Sequence, residues 1–189
     1  ILMDQSSSMA SMNDAAYEGA RELIEGVPET ARIVFSTFAS DICLGDAMNR
    51  QTALSTVVCR VANGSTSMYD GIIRAISQID QTSADVESTK QTLIIITDGQ
   101  DTSSRGSHNE ACAALLRMAN RGSRVVFLGA NQDAVMAARQ LGIPAGNALS
   151  YASNANGQRL AFRAASEAQR AYRTTGTAQF TQLQRAASM

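Results

Sequence analysis

Short, uninterrupted runs of large apolar residues are the feature that most limits what this chain can fold into. Leu93 to Ile96 is one such run, and Val125 to Leu128 is a second. A strand that faces water on one side alternates apolar and polar residues, whereas a strand covered on both faces is apolar throughout. The two runs therefore predict buried strands of a parallel sheet that is covered on both faces.

Stretches with helical periodicity separate the predicted strands. The predicted order is a strand at 1–3, a helix near 10–26, strands at 31–38 and 42–44, a short helix at 53–58, a helix at 68–79, a strand at 93–97, a helix at 107–122, a strand at 125–128, a helix at 135–142, an edge strand at 148–151 and a helix at 158–173. This alternation predicts an α/β fold. We expect a Rossmann-like, doubly wound, mostly parallel sheet with one antiparallel edge strand and helices on both faces.

The chain length of 189 residues suits one domain with a full core. We predict one domain over residues 1–175, followed by a polar tail over 176–189 that is in part helical. The sequence opens on the apolar residues Ile1 to Met3, so we expect the first strand to be truncated.

Composition excludes several kinds of partner. The formal net charge is -1 and the late arginines are spread among Ala and Gln, which argues against a nucleic-acid surface. No apolar run approaches the roughly 20 residues of a membrane span.

Cys43, Cys59 and Cys112 form no C-x-x-C pair. They are interpreted as buried free thiols of a reducing compartment, which predicts a cytoplasmic location.

Polar loops follow the strands that this order places at one edge of the sheet. Asp4 to Ser8 follows the first apolar run, and Asp98 follows the run that ends at Thr97. A third polar loop, at 63–67, precedes the helix that starts near Met68. Ligands of open parallel sheets bind at the carboxyl ends of the strands, so we expect the three loops to meet there.

Oxygen atoms are the only ligands that these loops offer to a metal. The candidate metal-binding residues are Asp4, Ser6, Ser8, Thr66 and Asp98. Carboxylate and hydroxyl oxygens favour Mg²⁺, or Mn²⁺ or Ca²⁺, over zinc. Mg²⁺ takes about six oxygens in near-octahedral geometry, so this set leaves at least one position open. An open position that faces solvent can take a carboxylate from another protein.

Two neighbouring carboxylates are predicted to have supporting roles. Ser67 and Asp70 have capping-box spacing at the start of the helix at 68–79. Asp70 is interpreted as a first-turn carboxylate that the helix dipole favours. Asp101 follows Asp98 closely and is a candidate for supporting the metal ligands from behind.

The candidate metal-binding residues carry a family resemblance. The stretch from Asp4 to Ser8 has the pattern D-x-S-x-S, Thr66 stands in a Gly-Ser-Thr setting, and Asp98 stands in a Thr-Asp-Gly setting. Together they resemble the metal-ion-dependent adhesion site (MIDAS) of von Willebrand factor A (vWA) domains, most closely those of small bacterial vWA proteins. The resemblance covers nearly the whole chain. It implies that Asp4, Ser6 and Ser8 bind the cation directly, and that Thr66 and Asp98 do so directly or through water.

The resemblance also implies a function. We predict a divalent-cation-dependent protein-binding module whose partner offers an Asp or Glu, as part of an AAA+ ATPase system or of an assembly. One alternative is a structural component of a larger assembly. Another is a Mg²⁺-dependent phosphotransfer enzyme, which is disfavoured because such a site needs a second Asp where this chain has Ser6. We therefore predict that the protein is not an enzyme.

Each motif taken singly has a simpler interpretation. Ser8 and Thr66 could each be a helix N-cap, and Asp98-Gly99 could be an ordinary turn. Only the convergence of all three loops on one edge of the sheet favours a metal site.

Overall fold

Six strands form one sheet within residues 1–82, 91–131 and 133–189, the part of the chain that this computed structural model describes. The strands are β1 (Leu2–Asp4), β2 (Ser36–Phe38), β3 (Ile42–Cys43), β4 (Thr92–Thr97), β5 (Arg124–Ala130) and β6 (Ala148–Tyr151). Their order across the sheet is β3-β2-β1-β4-β5-β6. β3 is antiparallel to β2, and the other neighbouring pairs are parallel. The predicted fold class is confirmed, including the antiparallel edge strand.

The helices follow the strands in the predicted alternation. They are α1 (Asn13–Glu25), α2 (Arg50–Thr56), α3 (Met68–Thr82), α4 (His108–Asn120), α5 (Ala134–Gln140), α6 (Ala155–Thr175) and α7 (Gln182–Ala187). A capping box between Ser107 and Glu110 begins α4, as the spacing of these residues predicts. α6 begins where the Asn154 side chain accepts a hydrogen bond from the Gly157 N–H, and it ends at Gly176 in the left-handed conformation.

The β4 run shows why a continuous apolar sequence is needed at the centre of the sheet. Leu93 and Ile95 pack in the core on the side of α3 and α4, whereas Ile94 and Ile96 pack in the core on the side of α1 and α6. Successive side chains of a strand point to opposite faces, and here both faces are covered. Every position of the run is therefore buried.

The strand predicted at 31–38 is wrong in its extent. β2 comprises only Ser36–Phe38, and Ile33 makes an isolated bridge to Met48 instead. β2 pairs with β1, which begins at Leu2 opposite Ser36. Val34 accepts one hydrogen bond of 2.8 Å from the amino group of Ile1, but the register of the two strands begins at Leu2 and Ser36.

The predicted burial of the thiols is also wrong. Cys43 and Cys59 are exposed, and Cys112 is half-buried; all three are free. Cys43 lies in β3, which is an edge strand of the sheet.

The segment after residue 175 contacts the rest of the fold. Phe180 is buried, and the buried Arg124 of β5 donates hydrogen bonds to the carbonyl groups of Ala168 in α6 and Ala178 in this segment, at 2.9 Å and 3.1 Å. Ser188 accepts a backbone hydrogen bond from Ala152, just beyond β6. The boundary at 175 between domain and tail stays a prediction.

None of the helices in the described part of the chain combines the length and the apolar character that crossing a bilayer requires.

Close contact between α1 and α6 depends on a glycine. Gly19 of α1 faces the fully buried ring of Phe162 in α6, and a Cβ atom at position 19 would overlap that ring. The side chains of α6 on this face are mostly alanines, which lets the two helix backbones approach. The layer that covers this side of the sheet is therefore intolerant of added volume at position 19.

We expect Gly19→Ala to destabilise the fold by about 1–3 kcal/mol, because the buried Phe162 ring cannot move aside. This loss would exceed the gain of about 1 kcal/mol from better helix propensity. The matched control is Gly71→Ala in α3, where a Cβ would lie 3.1 Å from the nearest atom, the Cβ of Phe38, and the loss should be smaller. Urea unfolding measures both variants. A Gly19→Ala protein as stable as the wild type would contradict this packing.

Candidate metal site

The candidate site lies at the carboxyl edge of the sheet, between β1 and β4. Met3 of β1 is paired with Ile96 of β4, so Asp4 stands beside Thr97 at the ends of the two strands. The chain leaves β1 through α1 towards one face and leaves β4 through α4 towards the other. This reversal opens a crevice between the strand ends, which is where open α/β sheets bind their ligands.

Asp4 anchors the site from inside the protein. It is fully buried, and both carboxylate oxygens accept hydrogen bonds: Oδ1 from the Ser6 N–H at 2.8 Å and Oδ2 from the Thr97 hydroxyl at 2.6 Å. The bond to Thr97 joins β1 to β4 at their ends. The carboxylate is therefore held in a fixed orientation by both strands.

A chain of hydrogen bonds links the serines to the second carboxylate. Ser6 Oγ and Ser8 Oγ are 3.0 Å apart, and the Ser8 hydroxyl donates to Asp98 Oδ1 at 2.7 Å. Ser6 is buried and Ser8 is exposed, so the chain runs from the interior to the surface. The structure thus brings together four of the predicted ligands, Asp4, Ser6, Ser8 and Asp98.

The interpretation of Ser8 as a helix N-cap does not hold. A 3₁₀ turn spans Ser7–Ser11, and Ser6, its N-cap residue, makes no side-chain capping bond. The N-cap of α1 is Met12. The Ser6 and Ser8 hydroxyls are directed into the hydrogen-bond chain with Asp98 instead of to helix N–H groups.

Thr66 is placed by its backbone. Its carbonyl accepts hydrogen bonds from the N–H groups of Thr102 and Ser103, at 2.8 Å and 3.2 Å, and its N–H donates to the Thr102 hydroxyl at 3.0 Å. A hydrogen bond of 3.0 Å from the Ser7 N–H to the Gly64 carbonyl ties its loop to the D-x-S-x-S loop. The Thr66 hydroxyl itself takes no part in the hydrogen bonds that join the other four predicted ligands.

Gly64 shows why this loop needs a glycine. It has a φ of +87°, a left-handed conformation that other residues rarely adopt, and a Cβ would collide with the Ser40 side chain. The tight turn directs the chain back towards the D-x-S-x-S loop.

Electrostatics at the site favour a bound cation. Burial raises the pKa of Asp4, and the negative charge of Asp98 adds to the rise, while hydrogen bonds from Thr97 and Ser6 oppose it. The ion pairs found in the described residues include neither Asp4 nor Asp98. Two carboxylates that are linked through Ser6 and Ser8, and that form no ion pair within the described residues, fit a hard divalent cation.

Other metal-binding clusters were sought in the same part of the chain. The described residues contain no group of three or more His, Cys, Asp or Glu side chains that could hold a metal ion. The candidate set is of a different kind, because Ser6, Ser8 and Thr66 contribute hydroxyl groups. The choice of ion, and binding itself, stay predictions.

Asp70 and Asp101 brace the loops around the site. Asp101 Oδ2 accepts a hydrogen bond of 2.9 Å from the Tyr69 N–H at the start of α3. The Asp70 carboxylate accepts from the N–H groups of Arg105 and Gly106, at 2.9 Å and 2.8 Å. The two aspartates therefore cross-link α3 to the loop after β4.

The capping box predicted between Ser67 and Asp70 is wrong. The Asp70 N–H donates to the Ser104 hydroxyl at 3.0 Å, and Ser67 Oγ pairs with Ser103 Oγ at 2.9 Å. Hydroxyls of the loop after β4 take the place of the local cap.

Thr97 and Thr102 are contributors that sequence reasoning missed. Thr97 fixes the Asp4 carboxylate, and Thr102 fixes the backbone of Thr66. The run of polar residues from Asp101 to Ser104, directly after the Thr-Asp-Gly motif, is the sequence signal that could have indicated a bracing loop.

Three solved structures are similar to this chain in fold. A von Willebrand factor type A protein from Catenulispora acidiphila has 19% identity and a TM-score of 0.64, over 88% of this chain and 41% of that chain. The manganese-loaded TRAP protein of Plasmodium vivax has 20% identity and a TM-score of 0.54, over 68% and 54%. Proximal thread matrix protein 1 from the mussel byssus has 16% identity and a TM-score of 0.66, over 88% and 43%.

The present chain spans between 41% and 54% of the length of these three structures. Among curated proteins, no sequence matches it. A model of the von Willebrand factor type A domain matches residues 1–179, which include all strands described above and the whole candidate site. The chain therefore belongs to the von Willebrand factor type A domain family.

Proposed function

We propose that this vWA domain holds one divalent cation at a MIDAS and binds a carboxylate of another protein through it. The proposed ligands are Asp4, Ser6, Ser8, Thr66 and Asp98. Mg²⁺ is the proposed ion, with Mn²⁺ or Ca²⁺ as alternatives that prefer the same oxygen atoms. When bound, the cation supplies a positive charge that a partner's Asp or Glu can coordinate.

The observation that carries the proposal is the hydrogen-bond chain from buried Asp4 to Asp98 at the sheet edge. It holds two carboxylates and two hydroxyls together, and neither carboxylate forms an ion pair with a basic side chain of the described residues. Burying an ionised carboxylate is costly unless an opposite charge is near. A cation at this position would supply that charge.

The family and its structures support the second half of the proposal. Domains of this family often mediate metal-dependent protein interactions, and the similar TRAP structure is manganese-loaded. Ser8 is exposed and Asp98 is half-buried, so a cation between them would face solvent and could accept one further oxygen ligand. We propose a component of an AAA+ ATPase system or of an assembly as the partner.

An enzymatic role is the weaker candidate. vWA domains generally act as interaction modules rather than as enzymes. Ser6 is hydrogen-bonded to Ser8 where a phosphotransfer site would need a second Asp as acid and base.

We expect Mg²⁺ at about 100 times its Kd to stabilise the wild type by about 2.7 kcal/mol. Since Tm changes by about 2–4 °C per kcal/mol in a domain of this size, thermal denaturation should show the shift clearly. Asp4→Asn should abolish the shift, because it removes the buried negative charge. Asp46→Asn, the same change at an exposed position outside the site, should keep it. A full Mg²⁺ shift in Asp4→Asn would contradict the site.

Thr66 can be tested against a neighbouring hydroxyl. Thr66→Val keeps the side-chain shape and the backbone bonds but removes the hydroxyl, so Mg²⁺ or Mn²⁺ affinity in calorimetry should fall at least several-fold. Ser65→Ala removes a hydroxyl that pairs with Ser40 instead, and should leave affinity unchanged. Equal affinities for both variants would remove Thr66 from the ligand set.

Partner capture should depend on the cation. Immobilised wild-type protein is expected to retain its partner in Mg²⁺, release it in EDTA and retain it again when Mg²⁺ is restored. Asp4→Ala should capture nothing, whereas Asp46→Asn should behave as the wild type. Replacing one Asp or Glu of the captured partner by its amide should also end capture. Binding that survives both EDTA and Asp4→Ala would refute the proposal.

A further inference from the structure

A tyrosine hydroxyl is buried close to the candidate site without a partner. Tyr151 ends β6 and is fully buried, and its hydroxyl finds no hydrogen-bond partner among the described residues. Buried hydroxyls nearly always have a partner, because leaving one unpaired loses the hydrogen bond it made to water. The position of this group in the sheet therefore needs a reason.

The register of three strands places Tyr151 level with Asp98. Thr97 of β4 is paired with Gly129 of β5, and Ala130 is paired with Tyr151. Asp98 directly follows Thr97 at the end of β4, so continuing the register by one residue places it in the row of Ala130 and Tyr151. Neighbouring strands are about 4.8 Å apart, so the row spans about 10 Å from Asp98 to Tyr151. Ala130, in the middle of the row, has a small side chain.

Asp98 and Tyr151 also lie on the same face of the sheet. Ala130 and Tyr151 belong to the core on the side of α1 and α6. Asp98 follows Ile96 by two residues, and Ile96 belongs to that same core, so the alternation of β4, continued one residue past its end, puts Asp98 on this face too. The hydrogen bond from Ser8, which lies just before α1, is consistent with that placement.

The ring of Tyr151 is held in place from the helix side. It packs against Phe162 of α6 with ring centroids 6.3 Å apart and an angle of 55° between the planes. Burial raises the pKa of Tyr151, and the charges of Asp98 and Asp4 raise it further, so the hydroxyl lies within the field of both carboxylates. It is a neutral hydroxyl that can donate one hydrogen bond.

Asp98 has an oxygen to receive that bond. Its Oδ1 accepts from Ser8, whereas its Oδ2 accepts no hydrogen bond from the described residues. A donor without an acceptor and an acceptor without a donor thus share one row and one face of the sheet. A single water between them could hydrogen-bond to both, as bridging waters in polar sites commonly do.

We propose that Tyr151 is a positioning residue of the metal site, whose hydroxyl donates a hydrogen bond through one water to Asp98 Oδ2. The bond orients the Asp98 carboxylate towards the proposed cation. Tyr151 lies behind Asp98 and does not touch the cation. The effect on cation affinity rests on the proposed function, whereas the hydrogen bond itself does not.

Two buried tyrosines give a matched pair of variants for calorimetry with Mg²⁺ and Mn²⁺. Tyr151→Phe keeps the ring against Phe162 and removes only the hydroxyl, and we expect about tenfold weaker binding, as is typical when the support of a metal ligand is lost. Tyr172→Phe removes a hydroxyl that donates to the Gly122 carbonyl at 2.6 Å, far from the site beyond the other end of β5. It should lower stability and leave cation affinity unchanged.

A double-mutant cycle in EDTA tests the hydrogen bond without any cation. Urea unfolding is measured for Tyr151→Phe, Asp98→Ala and the double variant. If the hydroxyl is bonded to Asp98, the double variant loses less stability than the two single variants together. Strict additivity overturns the inference, since the two groups then do not interact.

The two experiments separate the inference from the function on which it rests. If the unfolding free energies in EDTA show that Tyr151 and Asp98 are coupled, but Tyr151→Phe leaves cation affinity unchanged, the positioning role is overturned. If the wild type binds neither Mg²⁺ nor Mn²⁺, the proposed function fails, and the EDTA cycle alone decides whether the hydrogen bond exists. The inference is supported if Tyr151 and Asp98 are coupled in EDTA and if Tyr151→Phe, but not Tyr172→Phe, weakens cation binding.

Discussion

The parallel pairing of β1 with β4 is the constraint on which the rest of the site depends. It places Asp4 beside Thr97 and sends the two following loops to opposite faces of the sheet. The crevice, the approach of Ser8 to Asp98 and the support of the Thr66 loop all follow from that arrangement. A register shift of one residue would turn Asp4 to the other face and separate it from Thr97.

The way in which Asp4 is satisfied decides what the site can bind. An arginine beside it would neutralise the carboxylate and remove the attraction for a cation. Here its partners are a backbone N–H and the Thr97 hydroxyl, which fix its orientation without cancelling its charge. This arrangement destabilises the folded state, since burial disfavours the charged carboxylate and raises the pKa of Asp4. The positive charge of a bound cation would offset this destabilisation.

Features that depend on neighbouring residues in the chain could be predicted from the sequence, and features that depend on register could not. The apolar run before Asp98 and the D-x-S-x-S loop are local patterns, so the strands they belong to, and the closeness of four candidate residues, could be predicted. The support of Thr66 by Thr102 joins segments 36 residues apart. Likewise, Tyr151 reads in the sequence as the end of an edge strand, and only the pairing of three strands brings it level with Asp98.

Two buried polar groups in this fold are unfavourable for stability: the carboxylate of Asp4, which forms no ion pair within the described residues, and the hydroxyl of Tyr151, which has no acceptor among them. They come from β1 and β6, which are not neighbours in the sheet. An apolar side chain or an amide at either position would avoid the cost. Both groups nevertheless lie near the same sheet edge. Buried polar groups that cost stability and lie close together are typical of functional sites. The closeness of the two groups is a better argument for a role of Tyr151 at the metal site than the burial of either group alone.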